Sequence, residues 1–293
     1  MINSQGGISK ASQADAEAGT SDSTWMSPLK TKQAIDALGG HGQCYLDYTS
    51  TTLITLKPEN GNRVIIDGVS TSIGTGVTAA NTSVFINGTG ASNLAADTIY
   101  LVCLFDNAGT PTIDFLTVHT HQTHTDGVEI ATGDSTRTVV GKIRTNSSSQ
   151  FQTKVGTACW LISWFNRKNI TISGSWSGNY STTSATDVEV STTIRAYFIS
   201  WETENITAFF EDYCWNSLLG AWTGARIYYD TTIVSHLSIH QAGSTNYSGT
   251  ISTTGKVEAP SETASHYMTV YVLVSSGTGN VAGGGRVTVN LRG

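Results

Sequence analysis

From about residue 44 onward the chain alternates apolar and polar residues in short runs rich in Val, Ile, Thr, Tyr and Phe, each closed by Gly, Asn or Asp. Side chains of a strand point alternately to opposite faces, so such runs read as strands with one face buried. The stretch 48–67, YTSTTLITLKP-ENGN-RVIID, reads as a hairpin with its turn at Asn60 and Gly61, and 98–118, TIYLVCLFDNAGTPTIDFLTV, reads as another. The first strand of the latter departs from alternation, with Ile99, Leu101, Cys103 and Phe105 on one side and Tyr100, Val102 and Leu104 on the other. A strand apolar on both sides is expected between two layers. GVEIAT, RTVVGKIR and ACWLISWFNRK close this block near Lys168. STTIRAYFISW, NITAFFEDYCW, ARIYYD, VSHLSIHQ, HYMTVYVLVSSG and GRVTVNLRG form a second series. Turn signals recur between them at the spacing of a sandwich or jelly roll. GTGNVAGGG, near the end, precedes a strand rather than a helix, so it reads as a hairpin loop and not a phosphate cradle.

Only residues 10–38 carry helix chemistry. Ser9 or Ser12 is placed to cap an Ala-rich helix that stops at Gly19, and Ser27 followed by Pro28 starts a second one that runs to Leu38. Helices this short are marginal alone, so the segment is expected to dock on something else. The predicted fold is mainly β. A helical segment spans 1–40, and two antiparallel β-sandwich or jelly-roll-like domains span 41–168 and 169–293.

Composition narrows the function. Charged residues make up 13% of the 293 positions, with Ser, Thr, Gly and Asn in their place, and the formal net charge is −6. With no cluster of Lys and Arg to neutralise phosphates, nucleic acid is not an expected partner. No apolar run reaches the roughly 20 residues of a membrane-crossing helix, and the N-terminus has no signal-peptide core. Synthesis in a cytoplasm without membrane insertion is the expectation. Cys44, Cys103, Cys159 and Cys214 form no C-x-x-C pair and read as small buried hydrophobes.

The stretch ASQADAEAGTSDSTWMSPLKTKQAI, residues 11–35, resembles at almost every position an Ala-rich module of bacteriophage fibre proteins. GVEIATGDSTRTVVGKIRTN with WLISWFNRK resembles a β-domain of such fibres, and the final SETASHYMTVYVLVSSGTGNVAGGGRVTVNLRG resembles the closing strands of their sandwich domain. The resemblance implies a structural virion protein made in the bacterial host cytoplasm, a homotrimeric tail fibre or spike engaged in host attachment. It implies that residues 1–40, with Trp25, Met26, Pro28, Leu29 and Ile35, join other virion proteins while the C-terminal domain forms a receptor-binding tip. A head fibre or capsid decoration protein is the alternative; a polysaccharide-degrading spike is a more distant one.

No hydrolase elbow, zinc-protease helix or P-loop is present, and no enzymatic activity or cofactor is expected. Glu202, Glu204, Glu211 and Asp212 could supply a glycosidase carboxylate pair only if folding set two of them across a cleft; solvated strand ends are the simpler reading. Aromatics of the second domain suit sugar faces, and Trp215, Trp222 and Tyr228 are the candidates for a host glycan, against burial in a core or trimer interface. VHTHQTHTDG, 118–127, concentrates three of the seven histidines. His119 and His121 should share a strand face, and three chains around an axis would offer six imidazoles to a first-row metal. A polar strand end is the competing reading.

Overall fold

The computed structural model describes residues 40–152, 156–258 and 260–292. The two expected N-terminal helices, and with them Trp25, Met26, Pro28, Leu29 and Ile35, lie outside the described residues. Among those described the fold is β throughout, relieved by one 3-10 turn at Thr192–Ile194 that Ser191 caps. Two strand pairs run parallel, Ala158–Cys159 with Ala196–Phe198 and Val84–Ile86 with Thr110–Leu116, where the sequence suggests antiparallel pairing throughout.

The 98–118 hairpin is present, Ile99–Asn107 pairing with Thr110–Leu116 across a turn where Ala108 and Gly109 have positive φ. It sits within an eight-stranded sheet, flanked by Asp134–Arg144 on one side and Val84–Ile86 on the other. The two apolar sides of Ile99–Leu104 face different cores. Tyr100, Val102 and Leu104 pack with Cys44, Leu46, Ile54 and Leu56 of a three-stranded sheet. Ile99, Leu101 and Cys103 belong instead to a core that continues into the C-terminal half. The strand is therefore sandwiched, as its composition requires.

The C-terminal half is built from two further sheets. One runs Ala158–Cys159, Ala196–Phe198, His266–Val274, Trp222–Tyr229, Thr232–Ile233; the other runs Asn169–Ser175, Arg286–Arg292, Asn205–Asn216, Gly279–Val281, Tyr180–Thr182. Met268, Val270, Val272, Ala225 and Ile227 from the first meet Ile206, Phe210, Val287 and Val289 from the second in one core. The segment 158–163 links the halves: Ala158–Cys159 joins the C-terminal sheet, and Leu161–Ser163 pairs with Asp134–Arg144 of the eight-stranded one.

Three local readings need correction. Asn60 and Gly61 do form a turn with positive φ, but the strands beside it do not pair. Leu53–Pro58 pairs with Cys44–Ser50, and Arg63–Ile66 with Val69–Ser72 across Asp67 and Gly68. GTGNVAGGG is more than a loop, because Gly279–Val281 pairs with both Tyr180–Thr182 and Cys214–Asn216. Ser248–Glu258, the long partner of Asn205–Asn216, has no counterpart in the sequence reading. Its inward positions are Gly249, Ile251, Thr253, Gly255 and Val257, too small and polar to announce a buried face.

Gly174 shows how closely the layers approach. A Cβ built there would stand 1.7 Å from the carbonyl oxygen of Ile194, which is backbone and has no rotamer in which to retreat. Gly174→Ala is expected to push the Thr192–Ile194 turn off the sheet and cost about 1–3 kcal/mol, read as a lowered midpoint in urea unfolding. An unchanged midpoint would mean the two backbones are not in contact.

Candidate functional site

The histidine segment lies where the two halves meet. His121 opens a short strand, His121–Thr123, at the edge of the eight-stranded sheet, and its register sets Thr123 opposite Glu129. Both ring nitrogens of His121 are engaged, Nδ1 by Glu129 and Nε2 by Glu262 at 2.8 Å. Glu262 comes from the connection before His266–Val274, so a C-terminal carboxylate reaches into the N-terminal half. Lys142, fully buried in Asp134–Arg144, donates to the same Glu262 carboxylate at 2.9 Å and to the Ser200 carbonyl at 3.2 Å. Its ammonium sits 4.4 Å from the ring centroid of Trp201, close enough for cation–π attraction. A second pair, Arg167 to Glu204 at 3.1 Å, stacks over Trp164, and Trp164 meets Trp201 edge-on at 4.7 Å.

His119, Thr120 and His121 line one cleft of about 320 Å³ together with Glu202, Ser261 and Glu262, and His119 lies before the strand that His121 opens. His119 contacts the Ile99 carbonyl at 2.9 Å and His124 pairs with Asp126 at 3.0 Å, so each histidine of the cluster has its own partner. Among the described residues no three His, Cys, Asp or Glu side chains are set to hold a metal ion. Ligation by either nitrogen of His121 would require the carboxylate contact at that nitrogen to open.

Charge in this junction is set by burial against pairing. Burial opposes the imidazolium, yet the hydrogen bonds to Glu262 and Glu129 prevail and raise His121 above the usual histidine value. Burial would likewise raise Glu262, but hydrogen bonds from His121 and the Glu202 N–H, with the charge of Lys142, bring it down to about 2. Burial lowers Lys142 to about 8 against the pull of Glu262, and raises Glu204 to about 6 against Arg167. The arrangement suits a fixed ionic clasp.

The sequence-nominated aromatics do not converge. Trp215 is the last but one residue of Asn205–Asn216 and Trp222 starts the next strand in the other sheet, with the Thr223 hydroxyl donating to the Trp215 carbonyl at 3.1 Å across the corner. Leu218 and Leu219 are exposed on the turn between them. Tyr228 lies six residues beyond Trp222, about 20 Å along the strand, stacked on Tyr271 and donating to Asp187 at 2.6 Å. Glu204 is bridged to Arg167, whereas Glu211 and Asp212 are seven and eight residues farther along, more than about 20 Å away and on opposite faces. A glycosidase pair sits within about 10 Å, so Glu204 does not form one with Glu211 or Asp212.

Two residues escaped the sequence reading. Phe209 and Tyr213 are exposed on the outer face of Asn205–Asn216, the face that Trp215 shares. Alternation against the buried Ile206, Ala208, Phe210 and Cys214 was the available signal.

No protein-family model matches the chain, and no curated protein matches it. Among solved structures, the VP2 subviral particle of infectious bursal disease virus has a TM-score of 0.31 at 11% identity, over 66% of this chain and 51% of that one. The chain thus spans about half the length of that protein. The structure of the Gt strain of the same virus gives 0.30 at 12% identity, over 85% and 74%. The insecticidal delta-endotoxin Cry8Ea1 of Bacillus thuringiensis gives 0.25 at 8%, over 86% and 54%. Likenesses this distant carry no functional inference.

The clasp predicts a pH dependence. Glu262 has its pKa lowered from 4.5 to about 2, so its contribution is present above 4.5 and lost as pH falls toward 2. His121, raised above 6.5, contributes fully below that value and less as pH climbs through its folded pKa. Glu262→Gln is expected to cost about 3 kcal/mol near pH 6, since it leaves Lys142 buried without its carboxylate. It should also flatten the fall in stability between about pH 4.5 and 2, measured by urea unfolding across that range. A variant that keeps the wild-type slope would assign that acid sensitivity to other carboxylates.

Proposed function

We propose that the chain is a structural virion protein of the phage-fibre kind, a homotrimeric tail fibre or spike engaged in host-surface attachment. The observation that carries this reading is the module at residues 11–35, which resembles an Ala-rich module of bacteriophage fibre proteins. The body supports it. Three of its ion pairs, His121–Glu262, Lys142–Glu262 and Arg167–Glu204, cross the junction between halves, an arrangement that fixes shape. Its remaining surface is hydroxyl-rich and low in charge, which suits an extended assembly of β-rich copies. The sandwich and jelly-roll-like character expected of both domains belongs to the same proposal.

Residues 1–40 are proposed to anchor the protein to other virion proteins, and residues 169–293 to face outward. A head fibre or decoration protein would use the same anchor and body at another place on the particle. Among the described residues no helix is long and apolar enough to cross a membrane.

Light scattering coupled to size exclusion is expected to return three times the 31.1 kDa chain mass. A stable monomer would remove the fibre reading. Deleting residues 1–38 should leave a folded protein that no longer enters particles, scored by immunoblot of purified virions. Antibody to residues 170–293, viewed on virions by electron microscopy, separates tail from head: label around the capsid overturns the tail assignment.

A further inference from the structure

The outer face of the six-stranded C-terminal sheet is chemically unusual. On Asn169–Ser175, Asn205–Asn216, Ser248–Glu258 and Arg286–Arg292 every second residue points away from the core, and those positions hold no Leu, Ile, Val or Met. Against that polar ground stand three aromatics in line on one strand, Phe209, Tyr213 and Trp215. Phe209 is 41% exposed and Tyr213 63%, and Trp215 is half-buried. At the rise of a strand, Tyr213 and Trp215 are about 7 Å apart and Phe209 lies about 13 Å beyond Tyr213. None of the three rings stacks on another aromatic among the described residues.

Hydroxyls and an amide surround the row. Phe209 is paired with Thr254 on one side and Thr288 on the other, Tyr213 with Thr250, and Trp215 with Ser248 and Asn280. Thr254, Thr288, Thr250 and Ser248 make no side-chain hydrogen bond to described residues, so each keeps a donor and an acceptor for a ligand. The charges on the face are sparse: Glu211 lies in register with Arg286, Lys256 bridges Glu258 at 2.5 Å, and Arg292 stands at the far end of its strand.

We propose that this face binds a neutral, extended polysaccharide lying along Phe209, Tyr213 and Trp215. The proposal names the ligand class for host attachment and rests on that reading for its biological role. Flat rings accept the C–H faces of pyranose sugars, and the flanking hydroxyls exchange hydrogen bonds with sugar hydroxyls without a dedicated charge. A row of rings on one strand selects a chain that runs straight for several sugars. Acidic polysaccharides would need a cationic cluster beside the rings, and the cations of the face do not cluster: Arg286 and Arg292 stand at opposite ends of one strand and Lys256 lies two strands away, beside Glu258. A second copy of the chain fits less well, because the fully buried core of a contact between copies is more apolar than a surface of Thr, Ser and Asn with no aliphatic side chains among the rings.

The test is native electrophoresis of the full chain through gels cast with soluble xylan, glucomannan or mixed-linkage β-glucan, with alginate as the acidic control, followed by titration calorimetry on the polysaccharide that retards it. At least one neutral polysaccharide is expected to retard the protein and alginate is not. Tyr213→Ala and Trp215→Ala should each weaken binding about tenfold, while Tyr213→Phe, which keeps the ring, stays near wild type. All variants should keep the wild-type melting temperature and oligomeric mass. Absence of retardation by every neutral polysaccharide, retardation by alginate alone, or undiminished binding by the alanine variants overturns the proposal. So does a change of oligomeric mass in those variants, which would make the row a contact between copies. A protein that binds through the row yet is missing from virions would sink the attachment reading and leave the binding site standing; one that labels virions but binds none of the three would do the reverse.

Discussion

The fold depends on one strand being buried from both sides. Ile99–Leu104 carries apolar residues at six consecutive positions, and a layer on one side alone would leave half of them in water. Three of those side chains go to the small N-terminal core and three to the core that runs through the C-terminal half. Each buried side chain of this size is worth about 1.5–3 kcal/mol relative to exposure, so separating the halves would expose several kcal/mol of apolar surface at once. The halves are therefore bound by shared core, and the linking segment at 158–163 follows from that geometry.

The ionic groups at the same junction do a different kind of work. Hydrophobic burial is indifferent to small slips in orientation, whereas Glu262 accepts from His121, Lys142 and the Glu202 N–H in one geometry. Buried ion pairs seldom add much stability over apolar replacements, because desolvation offsets the attraction. Their effect here is to make displaced packings costly, since each would strand a lysine or a carboxylate in the interior. Trp164 and Trp201 complete the clasp by giving Arg167 and Lys142 aromatic faces in place of water.

Much of this was legible in the sequence, and the failures have a common cause. The 98–118 hairpin and its double-sided strand could be read because large apolar residues mark both faces. Ser248–Glu258 could not, since glycine and threonine fill much of its inner face. Asn60 and Gly61 announced a turn, but turn chemistry fixes the chain reversal and not the partner of the strand that follows. At the junction, His119 falls outside the strand that His121 opens, so alternation does not govern the pair. Nothing local could name Glu262, 141 residues away, as the group that His121 would meet. Phe209 and Tyr213 were available to the alternation argument, but Phe209 stands beside the buried Phe210 and Tyr213 beside the buried Cys214, so residue type alone did not tell outer from inner.

The buried cysteines give the layers built-in reporters. Cys44 lies in the three-stranded sheet, Cys103 in the sheet shared by both cores, and Cys214 in the six-stranded sheet, all three inaccessible. Burial pushes the thiols of Cys44 and Cys214 up to about 12 and that of Cys103 well above its ordinary value. A thiol must be deprotonated and reachable to react. Alkylation of each one therefore proceeds at the rate at which its own layer opens, so a native chain carries three clocks for local unfolding without a label having been added.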